Sequence, residues 1–358
     1  MTVQPTAFKS DGDMVVLREG SAGVLLLNRP KALNALTLDM VRVIERALDE
    51  FEADPAIATV LLEGAGERGL CAGGDIRSLR DSAREGGDLG PRFWTEEYRL
   101  NARIAAFPKP FAPFMDGVVM GGGIGLAGHS SHRITTERSI VAMPEVSLGF
   151  FPDVGGTYLL SHMPGEIGTY YTLTGNTMSG AEAVYVGLAD VRIATKDWPT
   201  LRKAITQLPP GAAANDVMAL LKTYSSPGPV PIADHKALID RIFAQDSVEG
   251  IVASLEQDGS DFARKTRDEI LEKSPRGLKL ALRLLRLGRA SSSLKEVLQR
   301  EYRAVLEAYT TSDFVEGIRA ALVDKDRNPK WSPPRLEDVT PPMIDRYLAP
   351  LGANELKF

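Results

Sequence analysis

Two glycine-rich turns constrain this chain more than any other feature: Cys71-Ala72-Gly73-Gly74-Asp75-Ile76-Arg77 and Met120-Gly121-Gly122-Gly123-Ile124-Gly125-Leu126-Ala127-Gly128, each following a short apolar run. Positions without a side chain let the backbone turn sharply and leave N–H groups free to face a ligand. A plain strand-to-helix turn uses glycine in the same way, so neither turn decides a function alone. Gly123-x-Gly125-x-x-Gly128 formally satisfies the dinucleotide fingerprint. It begins deep in the chain, with no clear βαβ unit around it and no ribose-binding acid downstream, which argues against a Rossmann site. The same glycines at a helix N-terminus offer an N–H and a positive dipole end to a developing negative charge, and this is the use we favour.

The sequence around the turns reads as alternating strands and helices. Residues 14–18 and 22–28 form two short Val/Leu-rich runs joined by Glu19-Gly20, the pattern of a hairpin. Thr37 caps a helix with Val41, Ile44, Leu48 and Phe51 at helical spacing, ended by Asp54-Pro55. Ile57–Leu62 and residues 111–115 read as strands, as does the run from Ile140 to Met143. The charged stretch after Arg77 up to Gly90 reads as a mobile loop, leading into a helix from about Phe93 to Ala106. Ser179-x-x-Glu182 and Ser293-x-x-Glu296 are capping boxes, and the second opens a helix with Leu294, Val297, Leu298, Tyr302, Val305 and Tyr309 on one face. We expect an α/β fold with residues 1–195 as a first domain and 196–358 as a mainly helical second region. The Pro/Gly/Ser-rich run from Ser225 to Pro231 is the best internal linker.

Composition removes whole classes. With 44% hydrophobic and 25% charged residues and a net charge of −5, the chain is neither disordered, nor collagen-like, nor a polybasic nucleic-acid binder. Its single cysteine, Cys71, excludes an internal disulfide framework and any multi-cysteine metal centre. The apolar segment from Phe111 to Gly128 contains Asp116 and many glycines, which speaks against a membrane span. No signal or transit pattern opens the sequence, so a cytoplasmic location is expected.

A third motif, Met143-Pro144-Glu145-Val146-Ser147-Leu148-Gly149-Phe150-Phe151-Pro152-Asp153-Val154-Gly155-Gly156, sets two carboxylates, Glu145 and Asp153, among apolar and glycine residues. Burial there raises a carboxyl pKa toward that of a working acid or base, whereas an exposed loop leaves both as solvated surface acids. Other chemistries lack their parts: no nucleophile elbow, no H-E-x-x-H and no Walker A lysine are present. His129 and His132 have no third ligand nearby, so no metal site is expected, and Cys71 reads as a small buried hydrophobe.

Taken together, Asn28-Arg29-Pro30-Lys31-Ala32-Leu33-Asn34-Ala35-Leu36, the two glycine turns and the 143–156 motif resemble the crotonase (enoyl-CoA hydratase/isomerase) superfamily. Lys273-Ser274-Pro275, the helix from Ser293, Asp313–Arg319 and Asp324–Trp331 extend the resemblance toward its 3-hydroxyacyl-CoA hydrolase subgroup. The resemblance implies a crotonase-like spiral of ββα turns with a helical C-terminal region, acting on a short 3-hydroxyacyl-CoA such as 3-hydroxyisobutyryl-CoA. Carried over by position, the oxyanion hole falls on the N–H groups of Gly74 and Gly122, and the acids on Glu145, Asp153 and, as a substrate contact, Glu97. CoA contacts fall on Lys31, Ala32, Leu33, Ala72, Asp75, Ile76 and Arg77, with Lys31 and Arg77 as phosphate partners. The first of the two glutamates that add water in the superfamily's hydratases corresponds to Gly125, which has no side chain. The implied partner is a small-molecule acyl-CoA, with no nucleic acid, no membrane, no separate cofactor, and either a monomer or a small homo-oligomer. Isomerisation through Glu145 alone, another hydratase chemistry, and a non-catalytic CoA or dinucleotide (NAD) binder are the alternatives.

Overall fold

A three-stranded antiparallel ribbon opens the computed structural model, which describes residues 6–358, with side chains from residue 12 onward. Strand β1 (Thr6–Asp11) pairs with β2 (Met14–Glu19), and β2 with β3 (Ala22–Leu27) in the register Met14↔Leu27 to Glu19↔Ala22. Gly20 makes the β2–β3 turn at φ +57, where a Cβ would stand 2.0 Å from the Thr206 carbonyl oxygen, so no other residue fits. Helix α1 (Leu38–Ala53) begins where Thr37 accepts a hydrogen bond from the Met40 N–H at 3.2 Å.

Repeats of two strands and a helical segment follow. They are β4 (Thr59–Gly64) and β5 (Gly69–Cys71) with α2 (Ile76–Arg84) and α3 (Leu89–Ala105), then β6 (Phe111–Met115) and β7 (Val118–Met120) with α4 (Gly122–Ala127). Next come β8 (Ile134–Thr135) and β9 (Ile140–Ala142) with α5 (Gly156–Ser161) and α6 (Ile167–Thr174), then β10 (Met178–Ser179), α7 (Gly180–Tyr185) and β11 (Val191–Arg192). In the pairs β4/β5, β6/β7 and β8/β9 the first strand joins a seven-stranded sheet of order β1-β2-β3-β4-β6-β8-β11 and the second a four-stranded sheet of order β10-β9-β7-β5, whereas in the last repeat β10 joins the four-stranded sheet and β11 the seven-stranded one. Each repeat therefore adds one strand to each sheet, with parallel pairing of β4 with β6, β6 with β8 and β5 with β7. This is the spiral of ββα turns that the sequence implies.

The remaining elements are helical: α8 (Trp198–Thr206), α9 (Ala214–Thr223), α10 (Lys236–Ile242), α11 (Val248–Asp258), α12 (Asp261–Leu271), α13 (Pro275–Arg289), α14 (Leu294–Tyr309), α15 (Ser312–Ile318) and α16 (Pro341–Asp345), with short single-turn helices between some of them. Among the described residues no helix is long and apolar enough to cross a membrane.

Two expectations need correction. The charged stretch after Arg77 is not a loop: residues 76–84 form α2, whose start is capped by Asp75 accepting from the Ser78 N–H and whose one buried residue is Leu79. Arginine is a good helix former, so a stretch poor in apolar residues still forms a helix once capped; Gly86, at φ +70, follows its end. The Ser179–Glu182 box is complete, but at Ser293 only half forms, because the Glu296 carboxylate accepts from the Ser292 N–H and hydroxyl instead.

The chain groups into two compact units, each built from separated segments. One holds the chain up to Gly74, Arg99–Val141 and Met178–Pro231; the other holds Asp75–Tyr98, Ala142–Thr177 and Ile232–Phe358. The switch from mixed elements to helices after Arg192 is a change of element type, and the two units interleave across it. Their last boundary falls at the end of the Ser225–Pro231 run.

In the first unit, Ala22, Val24, Leu61, Ala112, Ile134, Val191, Trp198, Leu201 and Ile205 form part of one buried core joining the larger sheet to α8. In the second, α13 lies close on α5, where a Cβ at Gly288 would come 2.9 Å from the Thr157 carbonyl oxygen. Ser274 caps α13 and donates to Asp313 Oδ2 at 2.7 Å, and Asp313 Oδ1 accepts from the Ser332 N–H at 2.8 Å. The Lys273-Ser274-Pro275 and 313–331 motifs thus meet through hydrogen bonds inside one unit.

Candidate active site

The glycines of the two turns, Gly73 and Gly74 of the first and Gly121–Gly123 of the second, lie side by side in the first unit. β5 and β7 are parallel partners, and the turns leave them together, so that a Cβ at Gly73 would stand 3.4 Å from Met120 O and 3.6 Å from Gly122 N. Gly73 takes φ +106, and Gly121 caps α4 at φ +51, both costly for a residue with a side chain. The Gly73 carbonyl accepts from the Leu36 N–H at 2.8 Å, and that bridge does not consume the Gly74 N–H. Gly122 is the first residue of α4, where N–H groups have no partner within the helix. A Cβ at Gly123 would meet the Cys71 carbonyl oxygen at 2.4 Å, which fixes α4 close against the first turn. Gly125 is buried within the same helix.

The Asn28–Leu36 motif is organised by Asn34, which is 1% exposed. Its side chain accepts from the Arg29 N–H and donates to the Ala65 and Gly69 carbonyls, while Leu33 and Asn34 both take left-handed φ near +52 and +54. Of the expected CoA contacts, Lys31 and Ala32 are exposed, and Ala72 donates its N–H to Leu33 O at 3.0 Å. In the second unit, Asp75 caps α2, Ile76 opens it, and Arg77 is exposed, donating to the Leu322 carbonyl at 2.6 Å.

The acids gather in the second unit. Glu97 on α3, Glu145 at the head of a single helical turn (Glu145–Leu148), and Asp153 before α5 are 1%, 8% and 6% exposed, the burial that a raised carboxyl pKa requires. Tyr98 donates its hydroxyl to Asp153 Oδ2 at 2.7 Å. Glu97 Oε1 and Glu145 Oε2 are buried with no hydrogen-bond partner. Trp94 stacks on Phe150 and Phe150 on Phe151, with Tyr309 and Phe314 against Trp94, so a cluster of aromatic rings packs in the same unit as the acids.

Such surroundings disfavour charge. Burial, then the charge of Asp153, pushes Glu97 and Glu145 well above the usual carboxylate range. Burial raises Asp153 to about 7, against the lowering effect of the Tyr98 hydrogen bond. Burial and Asp153 also push the Tyr98 hydroxyl up.

Two members of this group escaped the sequence analysis. Tyr98 sits in Thr95-Glu96-Glu97-Tyr98, which reads as a polar helix face. Glu301, fully buried on α14, accepts from the Gly155 N–H at 2.6 Å, the Thr157 N–H at 3.0 Å and the Thr157 hydroxyl at 2.5 Å. Burial raises it to about 8 despite those three donors. A signal was available: Glu301 lies three residues after Leu298 and four before Val305, on the inward face of its helix.

Of the histidine pair, His132 lies in the first unit, apart from these acids. His132 Nε2 bonds the Ala214 carbonyl and Nδ1 the Ser131 hydroxyl, both at 2.8 Å, which makes it a satisfied core residue. Cys71 is buried, with Sγ 3.6 Å from the Gly73 carbonyl oxygen.

The sequence matches the enoyl-CoA hydratase/isomerase family over residues 22–348. It is 40% identical over 353 residues to the mitochondrial 3-hydroxyisobutyryl-CoA hydrolase of Xenopus tropicalis, covering 97% of this chain and 91% of that protein. To the Homo sapiens protein of that name it is 37% identical over 352 residues, again covering 97% and 91%. Among solved structures, a carnitinyl-CoA dehydratase from Mycobacterium thermoresistibile superimposes with a TM-score of 0.91 at 42% identity, covering 97% of this chain and 99% of that one. An enoyl-CoA hydratase from Rhodobacter sphaeroides 2.4.1 gives 0.87 at 41% identity, covering 97% and 100%. The spiral of ββα turns with its helical C-terminal region is thus the crotonase fold, and the chain belongs to the enoyl-CoA hydratase/isomerase family.

Proposed function

We propose that the protein hydrolyses the thioester of a short 3-hydroxyacyl-CoA, foremost 3-hydroxyisobutyryl-CoA, to the free 3-hydroxy acid and CoA, and so serves valine breakdown. The observation that carries this reading is the buried set Glu97, Glu145 and Asp153, with ionisation pushed upward throughout. The names of the relatives cited above point the same way.

Thioester hydrolysis needs a base or nucleophile, a proton for the departing thiolate, and donors for the oxyanion. Acids that repel one another do not all ionise together, so one can act as base while a neighbour still carries a proton. Glu145 takes the first role. Its carboxylate either removes a proton from water as the water oxygen bonds to the carbonyl carbon, or attacks that carbon itself to form a mixed anhydride that water then opens. In both cases the C–S bond breaks and the sulfur takes up a proton. Asp153, raised to about 7, carries that proton or orients the water. Glu97, which burial biases toward its neutral form, donates to the 3-hydroxyl group. The N–H groups of Gly74 and Gly122 hold the carbonyl oxygen, where loss of one such donor costs about 3–4 kcal/mol of transition-state stabilisation. Lys31 and Arg77 pair with CoA phosphates.

The solved structures above are of a dehydratase and a hydratase. Addition of water across a double bond uses two glutamates in this family, and the position of the first is the buried Gly125, so this chain lacks half of that pair. A cytoplasmic location is the sequence reading, set beside relatives named as mitochondrial; fractionation of expressing cells tests it. The function is tested by following free CoA thiol from 3-hydroxyisobutyryl-CoA beside hydration of crotonyl-CoA. Thiol release without hydration is expected, and hydration without thiol release overturns the reading.

A further inference from the structure

The segment that carries Asp153 is held from a distance. Directly after Asp153 the backbone takes two left-handed residues, Val154 at φ +53 and Gly155 at φ +75, before α5 begins. A β-branched residue there is an outlier, and such conformations persist only where the surroundings over-determine them. No side chain within the turn caps α5. The Glu301 carboxylate does so instead, across 146 positions of sequence, with Oε2 on the Gly155 N–H and Oε1 on the N–H and hydroxyl of Thr157. Its neighbours on the inward face of α14 are apolar: Leu298, Ala304 and Val305 are buried with it. An ionisable group in that position costs free energy that an apolar residue and a local serine or asparagine cap would avoid. The arrangement satisfies the backbone on one side of a turn whose other side presents Asp153 to the Tyr98 hydroxyl.

We propose that Glu301 is a positioning residue: it clamps the Val154–Gly155 turn and through it aims the Asp153 carboxyl group. This rests on the hydrolase reading for its kinetic consequence, because Asp153 is the group through which Glu301 acts. Replacement by Gln leaves one oxygen to accept and turns an amide NH2 toward a backbone N–H donor, so one arm of the clamp is lost with little change in shape.

The test uses the full chain and four variants, Glu301→Gln, Thr157→Val, Asp153→Asn and the double variant Glu301→Gln/Asp153→Asn, with thiol release and hydrogen exchange followed in parallel. Glu301→Gln is expected to lower kcat at least about tenfold with KM within about threefold, and to change kcat less than about twofold when Asp153 is already Asn, since coupled residues are non-additive. Amide exchange over residues 151–158 is expected to accelerate in Glu301→Gln, a readout that needs no turnover. Equal losses in both backgrounds, or unchanged kcat with a lowered unfolding temperature, overturn the proposal and leave Glu301 a structural residue. Unchanged exchange at Gly155 and Thr157 overturns it whatever the activity. Should Glu301→Gln not fold, Thr157→Val, which removes one of the three donors, is expected to show a smaller loss with the same dependence on Asp153; a loss additive with Asp153→Asn overturns the proposal there too. A wild type that releases no thiol refutes the hydrolase reading, and the exchange result still decides the clamp.

Discussion

Tyr98 and Asp153 form a hydrogen bond of 2.7 Å in which both partners are buried, and its effect on Asp153 has a definite sign. The phenol stabilises the charged carboxylate, so it pulls the Asp153 value down while burial pushes it up. Tyr98→Phe removes only the donor. The pH–rate limb that reports Asp153 is therefore expected to move to higher pH, and a profile that does not move would show that Asp153 does not titrate in the reaction. Glu145 and Asp153 were legible in the sequence because glycine and aromatic residues surround them in one short motif. Tyr98 was not, because it lies in a polar stretch of its helix, and Glu301 was passed over although its spacing from Leu298 and Val305 put it on the apolar face of α14.

Among the elements, the strands and caps were legible where chemistry is local. The Thr37 cap, the Glu19-Gly20 turn and the Ser179 box all form from residues a few positions apart. Helix α2 was missed because one buried leucine gives too weak a periodicity to stand out from a loop. The two-sheet spiral was legible only through family resemblance, since strands of two or three residues such as β8 and β5 carry no pattern of their own. Helix α4 shows how tightly such an element is fixed. With a Cβ at Gly123 meeting the Cys71 carbonyl oxygen at 2.4 Å, Gly123→Ala forces backbone apart. Overpacking of this kind costs about 1–3 kcal/mol. A lowered thermal midpoint and a drop in thiol release, through displacement of Gly122, are expected; an unchanged midpoint would mean that α4 shifts freely.

For the whole molecule, the buried acids set the pH dependence of stability. Asp153 at about 7 and Glu301 at about 8 bind protons more tightly folded than unfolded, and Glu97 and Glu145 are displaced in the same direction. Their contribution is complete below the unfolded carboxyl range near about pH 4 and is lost as pH rises through the folded values, at about 1.4 kcal/mol for each tenfold difference in proton affinity between the folded and unfolded chain. Urea unfolding is expected to show stability falling between pH 5 and pH 8, less steeply in Glu301→Gln; a rise over that range would contradict the burial of these acids as charge-averse groups. The proposed role of Glu145 in thioester cleavage is read out by free CoA thiol from 3-hydroxyisobutyryl-CoA for the wild type and Glu145→Gln, with crotonyl-CoA hydration alongside. Thiol release that disappears in Glu145→Gln, without hydration in either protein, is the expected result; thiol release that survives the substitution, or hydration in its place, contradicts it.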